Sequence, residues 1–148
     1  METVNDILRE ELESCKEDII QRMADSGEYV SGDTASGFEV ATENNSHGWI
    51  GGYSYVGVLE GGRKSGKVPV YFKEIIKRWI LAKGLQYQDP KDLERMAASM
   101  AWVIHKEGTK LHRNGYKIDI FDTPVTNMME RLSKRISNYF TTETIKSI

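Results

Sequence analysis

The sequence has few residues that could cross-link the chain, and it has no long apolar run. Its 148 residues include one cysteine, Cys15, and three prolines. A single cysteine excludes an intrachain disulfide framework and a zinc site built on several cysteines. The apolar runs are all shorter than the roughly 18–20 residues that a membrane span needs. Residues 1–15 are acidic, which predicts that no secretory signal is present, because such signals begin with a basic segment.

The composition is that of a folded chain with an uneven charge distribution. With 39% hydrophobic residues, the length suits a single domain, residues 1–148, around one core. The net charge is only −2, but residues 1–62 carry 13 acids and 3 bases, and residues 63–117 carry 5 acids and 13 bases. Such a split suits nucleic-acid binding, stacking between copies of the chain, or pairing within one copy, and composition does not choose among them.

Apolar residues recur at spacings of three and four in several segments, which predicts helices. The first helix runs from about Val4 and should end at Gly27, since glycine fits the left-handed position after a helix. A second covers about 70–83, with Trp79 in the core. A third begins at Pro90, and Thr123-Pro124 opens the last. The acids of the first helix are interpreted as a solvated face: Glu10, Glu11, Glu13, Glu17 and Asp18.

Short β-prone pieces separated by glycines predict a small antiparallel sheet. Residues 38–42 alternate as a strand does, 44–48 have the composition of a turn, and 49–50 and 53–60 are interpreted as further strand. Residues 117–121 are a short strand candidate. The fold class is therefore α+β: an N-terminal helix, a small antiparallel sheet with a long glycine-rich loop at about 61–69, and further packed helices.

The glycine-rich loop is not a nucleotide-binding motif, although it ends like one. Gly61 and Gly66-Lys67 have the required spacing, but Val68 stands where the magnesium-binding Ser or Thr should be. Among His47, His105 and His112, no pair has the four-residue spacing of a helical metal site. No G-x-S-x-G elbow or paired acid and base is evident. We therefore predict no catalytic, cofactor or metal residue, and no enzyme.

Basic and aromatic residues are interleaved after the loop. Arg63, Lys64 and Lys67 precede a helix that carries Lys73, Lys77 and Arg78 on its polar side, with Tyr71 and Trp79 nearby. This combination can contact phosphates and bases. A nucleic-acid-binding module that uses residues 63–117 is therefore the alternative function, although a charged helix face is more often simply solvated.

A constellation around the loop resembles a known family. Residues 55–63 (YVGVLEGGR) place an aromatic strand before an acid and a glycine loop, and 67–70 (KVPV) lead into the helical segment 75–84. Residues 31–38 (SGDTASGF) and 98–109 (ASMAWVIHKEGT) extend the likeness over roughly 15–125. This pattern resembles head–tail joining and tail-completion (neck) proteins of tailed bacteriophages of the lambdoid siphophage type. It departs from the family pattern in two places: the glycine after Glu60 is not followed by Thr, and the usual stretch with two prolines is reduced to Pro69.

The resemblance implies a structural virion protein in a homo-oligomeric ring at the phage neck or upper tail. The ring, of about six or twelve subunits, would join the portal side of the head to tail-side proteins around the DNA channel. It would assemble in the host cytoplasm and make no membrane contact. Its loop would order only on docking, because ordering costs roughly 1–2 kcal/mol per residue. The expected interface residues are Tyr55, Glu60, Arg63, Lys64, Lys67, Lys73, Lys77 and Arg78, matched by Glu10, Glu13 and Glu17.

Overall fold

The computed structural model describes residues 1–27, 32–115 and 117–148, with the backbone alone at Ser54 and Tyr55. It is a mixed helix and sheet structure, as an α+β class requires, with an N-terminal helix and a two-stranded antiparallel sheet. The elements in chain order are α1 (Val4–Ser26), α2 (Asp33–Ser36), β1 (Glu39–Glu43), β2 (His47–Gly51), a 3₁₀ helix (Ser54–Val58), α3 (Phe72–Lys83), α4 (Pro90–Glu107), α5 (Lys110–Arg113) and α6 (Asp122–Lys146).

The described residues form two compact units. The first comprises 1–27, 33–54 and 119–148, and the second comprises Gly32 and 55–118 without Tyr116. We call them the acidic unit and the basic unit, because they carry 15 acids with 7 bases and 6 acids with 13 bases, respectively. The charge split in the sequence therefore follows the division of the fold. That the whole chain acts as one domain remains a prediction.

The acidic unit is built around α1. This helix starts with a capping box, in which the Asp6 amide donates to the Thr3 hydroxyl and the Thr3 amide donates to the Asp6 carboxylate. It ends at Gly27, whose φ of 82° is left-handed, as predicted. Its buried stripe packs against α6 and against the hairpin of β1 and β2. The core of this unit includes Ile7, Leu12, Cys15, Ile19, Met23, Phe38, Ile120 and Met128.

The basic unit is organised by the helix pair α3 and α4. The Asp89 side chain accepts from the Asp92 amide and Pro90 occupies the first turn, so α4 begins where the sequence predicted. Gly84 ends α3 in a left-handed conformation, also as predicted. Between the helices lies a small core of Ile76, Ile80, Leu93 and Ala97.

Two predicted strands are wrong. Residues 53–60 contain the 3₁₀ helix, and its end is held by local bonds: the Leu59 amide donates to Val56 and the Gly62 amide to Val58. Residues 117–121 form no strand and lead into α6, where the Asp119 carboxylate accepts from the Thr123 amide at 3.0 Å. Neither of these described segments has a neighbouring strand with which to pair. Their backbone groups form hydrogen bonds outside a β-ladder instead.

Candidate assembly surfaces

The predicted loop lies against the C-terminal end of α4. The Gly66 amide donates to the His105 carbonyl and the Thr109 amide donates to the Arg63 carbonyl, both at 2.9 Å. The Arg63 amide in turn donates a hydrogen bond to the Thr109 hydroxyl oxygen at 3.0 Å. These bonds lie within the basic unit. The loop is thus held without a partner, which corrects the expectation that it orders only on docking.

Gly108 makes this close approach possible. It is buried, and its φ of 82° is left-handed. A Cβ atom at this position would lie 2.5 Å from the Arg63 carbonyl oxygen and 3.0 Å from the Ser65 nitrogen. Arg63 itself is turned inward, since its guanidinium donates to the Lys67 carbonyl at 2.7 Å and lies 5.3 Å from the Phe72 ring centroid. Arg63 therefore stabilises the loop in addition to any role in partner binding.

Two of the predicted contact lysines are paired with α4. The Lys73 ammonium lies 2.8 Å from the Glu94 carboxylate, and the Lys77 ammonium contacts the other oxygen of that carboxylate and also lies 3.4 Å from Glu74. Hydrogen bonds from Lys73 and then Lys77 lower the pKa of Glu94 to about 2. Both lysines are thus paired within the unit, whereas Arg78 is exposed.

The remaining predicted residues of the basic unit fall into different environments. The Tyr55 side chain lies outside the described part of the chain. Glu60 is mostly buried, with its carboxylate 3.5 Å from the Lys117 ammonium and its carbonyl accepting from the Ile118 amide. Lys64 and Lys67 are exposed on the docked loop. Of this group, the two loop lysines are the ones most accessible to a partner.

The predicted acidic contacts all lie on α1. Glu10 pairs with Arg135 of α6 at 2.7 Å, Glu13 pairs with Lys16 at 2.5 Å, and Glu17 is exposed. These three belong to the acidic unit and the predicted basic contacts to the basic unit. The two sets are therefore carried by separate units of the fold.

Glu11 is not solvated, which corrects the interpretation of the α1 acids as one exposed face. Its carboxylate accepts from Arg131 at 2.8 Å and from Arg135 at 3.1 Å, both on α6. Burial raises the pKa of Glu11, but the hydrogen bonds from these two arginines outweigh it and leave that pKa below its ordinary value. The signal was present in the sequence, because Glu11 lies four residues from both Ile7 and Cys15 on the apolar stripe.

A row of apolar side chains is exposed along α3 and at the residue that precedes it. Tyr71, Ile75 and Trp79, spaced four residues apart, are 63%, 36% and 37% exposed. The placement of Trp79 in the core was wrong, because α3 turns Ile76 and Ile80 toward Leu93 and Ala97. We call Tyr71, Ile75 and Trp79 the α3 apolar row. The four-residue spacing of these side chains is visible in the sequence, but their exposure to solvent is not.

Comparison of the chain with protein-family models, curated proteins and solved structures finds no match. Within the described residues, no group of three or more His, Cys, Asp or Glu side chains is placed to hold a metal ion. Among the described helices, none combines the length and the apolar character needed to cross a membrane.

Proposed function

We propose that this chain is a structural protein that assembles into a homo-oligomeric ring in the virion of a tailed bacteriophage, at the neck or upper tail. The observation that carries the assembly is the exposed α3 apolar row on the basic unit of a chain whose other unit is acidic. The phage assignment is supported by the resemblance of residues 55–63 and 98–109 to neck proteins.

The exposed row supports association because apolar patches on soluble proteins mark contact sites. Fully burying an exposed large apolar side chain contributes about 1.5–3 kcal/mol. Ile75 and Trp79 are 36% and 37% exposed, so each would add a fraction of that beside the more exposed Tyr71. Tyr and Trp are also the residue types in which interface energy concentrates.

The opposite charges of the two units support a head-to-side contact over pairing of like surfaces. In such a heterologous contact the basic unit of one copy meets the acidic unit of the next, and the series closes into a ring when the rotation permits. Lys73, Lys77 and Glu10 are already paired within one copy, so fewer charges are available than the sequence implies. We therefore expect the apolar row to provide most of the affinity, with charge setting the orientation.

The same pairing weakens the alternative in which the whole basic segment 63–117 binds nucleic acid. A lysine paired with a carboxylate has part of its charge offset, so it attracts a phosphate less strongly than an unpaired lysine does. Lys73 and Lys77 share Glu94, Arg113 pairs with Glu107, and Lys117 contacts Glu60. A nucleic-acid surface, if present, must therefore be narrower than the segment.

Native mass spectrometry, with negative-stain imaging of the same sample, tests the ring. The wild-type chain should form a closed oligomer of about six or twelve subunits. Trp79→Ser should weaken association at least tenfold, because it removes the aromatic anchor of the row. Trp102→Ser is the matched control, since Trp102 is also exposed in the basic unit but lies on α4.

A strictly monomeric wild-type chain at high concentration would overturn the ring. Equal association of both variants and wild type would overturn the role of the α3 apolar row. Circular dichroism melts of each variant check that a loss of assembly is not a loss of fold. An oligomer that survives molar salt is compatible with the apolar row and argues against charge as the main source of affinity.

A further inference from the structure

Four exposed lysines lie on the two backbone segments that meet where the loop packs against the end of α4. Lys64 and Lys67 lie on the loop, and Lys106 and Lys110 flank the Gly108-Thr109 step against which the loop packs. Within the described part of the chain, none of these four ammonium groups forms an ion pair with a carboxylate. The nearby Glu107 is occupied by Arg113 at 2.8 Å. We call Lys64, Lys67, Lys106 and Lys110 the junction lysines.

The backbone that carries the junction lysines is held in place. On the loop side, the Gly66 amide donates to His105 and the Gly66 carbonyl lies 3.0 Å from the His105 ring nitrogen Nδ1. On the helix side, the Thr109 amide and hydroxyl both bond to Arg63. A ligand at this surface has only lysine side chains to order, which lowers the entropic cost of binding.

An exposed indole adjoins the same surface. Trp102 lies one helical turn before Lys106, is 60% exposed, and has the Lys106 ammonium 5.9 Å from its ring centroid. A flat aromatic beside lysines is the combination on which single-stranded nucleic acids bind, because bases stack on the ring while cations contact phosphates.

We propose that the junction lysines bind the phosphate backbone of a nucleic acid strand, with Trp102 stacking on an unpaired base. Lysine is depleted in protein–protein interfaces, so four unpaired lysines on a fixed backbone suit a polyanion better than a second copy of this chain. The site uses neither the α3 apolar row nor the paired lysines Lys73 and Lys77. This nucleic-acid binding would be a function in addition to ring assembly, and it does not depend on the ring.

Fluorescence anisotropy with a labelled oligothymidylate and a labelled duplex tests the site. The wild-type chain should bind the single strand with a steep salt dependence. The double variant Lys64→Gln/Lys67→Gln should bind at least tenfold more weakly, and its log–log salt slope should fall by about 1.4 for the single strand and about 1.8 for a duplex. Lys91→Gln/Lys134→Gln is the matched control, because it removes the same charge from exposed lysines elsewhere and should leave the slope unchanged.

A substitution at Trp102 should affect binding of the single strand and of the duplex differently. Trp102→Leu should weaken binding of the single strand severalfold and leave the duplex nearly unchanged, since paired bases cannot stack on the indole. An equal effect on both would overturn the stacking role.

Three results would overturn the site itself: no binding by the wild-type chain at about 50 mM salt, equal slopes for the two double variants, or equal binding of polyglutamate. The last would assign the junction lysines to an acidic protein surface instead. Mass measurement of each sample identifies the assembly state present. Nucleic-acid binding can therefore fail while the ring persists, and the ring can fail while binding persists.

Discussion

At the scale of single residues, Glu11 combines burial with charge. Its side chain is 8% exposed, and two arginines from α6 donate to its carboxylate. A buried carboxylate persists only when charged or hydrogen-bonding partners compensate for its lost hydration. Glu11 therefore links α1 to α6 through ion pairs, at one position of a buried stripe that is otherwise apolar.

Removing that charge should destabilise the chain. Glu11→Gln keeps the shape of the side chain but leaves Arg131 without its carboxylate, and we expect a loss of about 1–3 kcal/mol in the free energy of unfolding. Arg131 and Arg135 are each partly exposed, which keeps the loss below that of a fully buried pair. Urea unfolding measures the loss.

Glu17→Gln serves as the control for Glu11→Gln, because Glu17 is an exposed acid on the same helix. It should change the free energy of unfolding by no more than about 0.5 kcal/mol. Equal effects of the two substitutions would contradict the role assigned to Glu11.

At the scale of elements, the sequence predicts what local chemistry decides. The ends of α1, α3 and α4 were correct because Gly27, Gly84 and the Asp89-Pro90 pair terminate or start a helix in most surroundings. The hairpin of β1 and β2 was also correct. The strands predicted at 53–60 and 117–121 failed because a strand requires a partner, and no local feature reveals whether one is present.

The docking of the loop on α4 also depends on contacts distant in sequence. Gly108→Ala should detach the loop, since alanine is strained at this φ and its Cβ would press on backbone atoms of Arg63 and Ser65. We expect a loss of about 2–4 kcal/mol from the strain and the overlap together. Limited trypsin digestion should then cut faster after Lys64 and Lys67.

Gly84→Ala is the matched control for Gly108→Ala. Gly84 has a similar positive φ of 68°, but a Cβ atom there would meet nothing within 4 Å. Its ψ of 28° places Gly84 in the left-handed helical region, whereas the ψ of −177° at Gly108 lies in a region that is essentially restricted to glycine. Gly84→Ala should therefore show only the smaller strain, about 1–2 kcal/mol, without faster cleavage of the loop. Cleavage rates that rise equally in both variants would contradict the packing role of Gly108.

At the scale of the whole molecule, the uneven charge of the sequence becomes two units of opposite charge. The boundary drawn at residues 62 and 117 lies close to the edges of the basic unit. The sequence could not reveal which charges remain available to a partner, because Lys73 and Lys77 meet Glu94 only when α3 and α4 pack together. It could not separate the exposed Trp79 from the buried Ile80 either, since both lie on one apolar stripe.

Each unit contains a carboxylate whose pKa is lowered by folding, so the whole molecule should lose stability in acid. The ordinary value of 4.5 applies to the unfolded chain, and the folded pKa of Glu94 is about 2; the pKa of Glu11 is also lowered. A lowered pKa means that the folded state holds its proton less tightly. The stabilisation from Glu94 is therefore complete above about pH 4.5 and is lost as the pH falls toward 2.

The salt dependence of the free energy of unfolding should distinguish the contribution of Glu94 from that of Glu11. Glu94 is 41% exposed and its ion pairs are screened by salt, whereas Glu11 is 8% exposed and is screened much less. Urea unfolding between about pH 5 and 2.5, at about 0.05 and 0.5 M NaCl, should show a pH dependence that Glu94→Gln flattens at low salt only. Glu11→Gln should flatten it at both salt concentrations, and Glu17→Gln at neither. If high salt abolished the effect of Glu11→Gln as fully as that of Glu94→Gln, the buried contact between α1 and α6 would not be the source of the acid sensitivity.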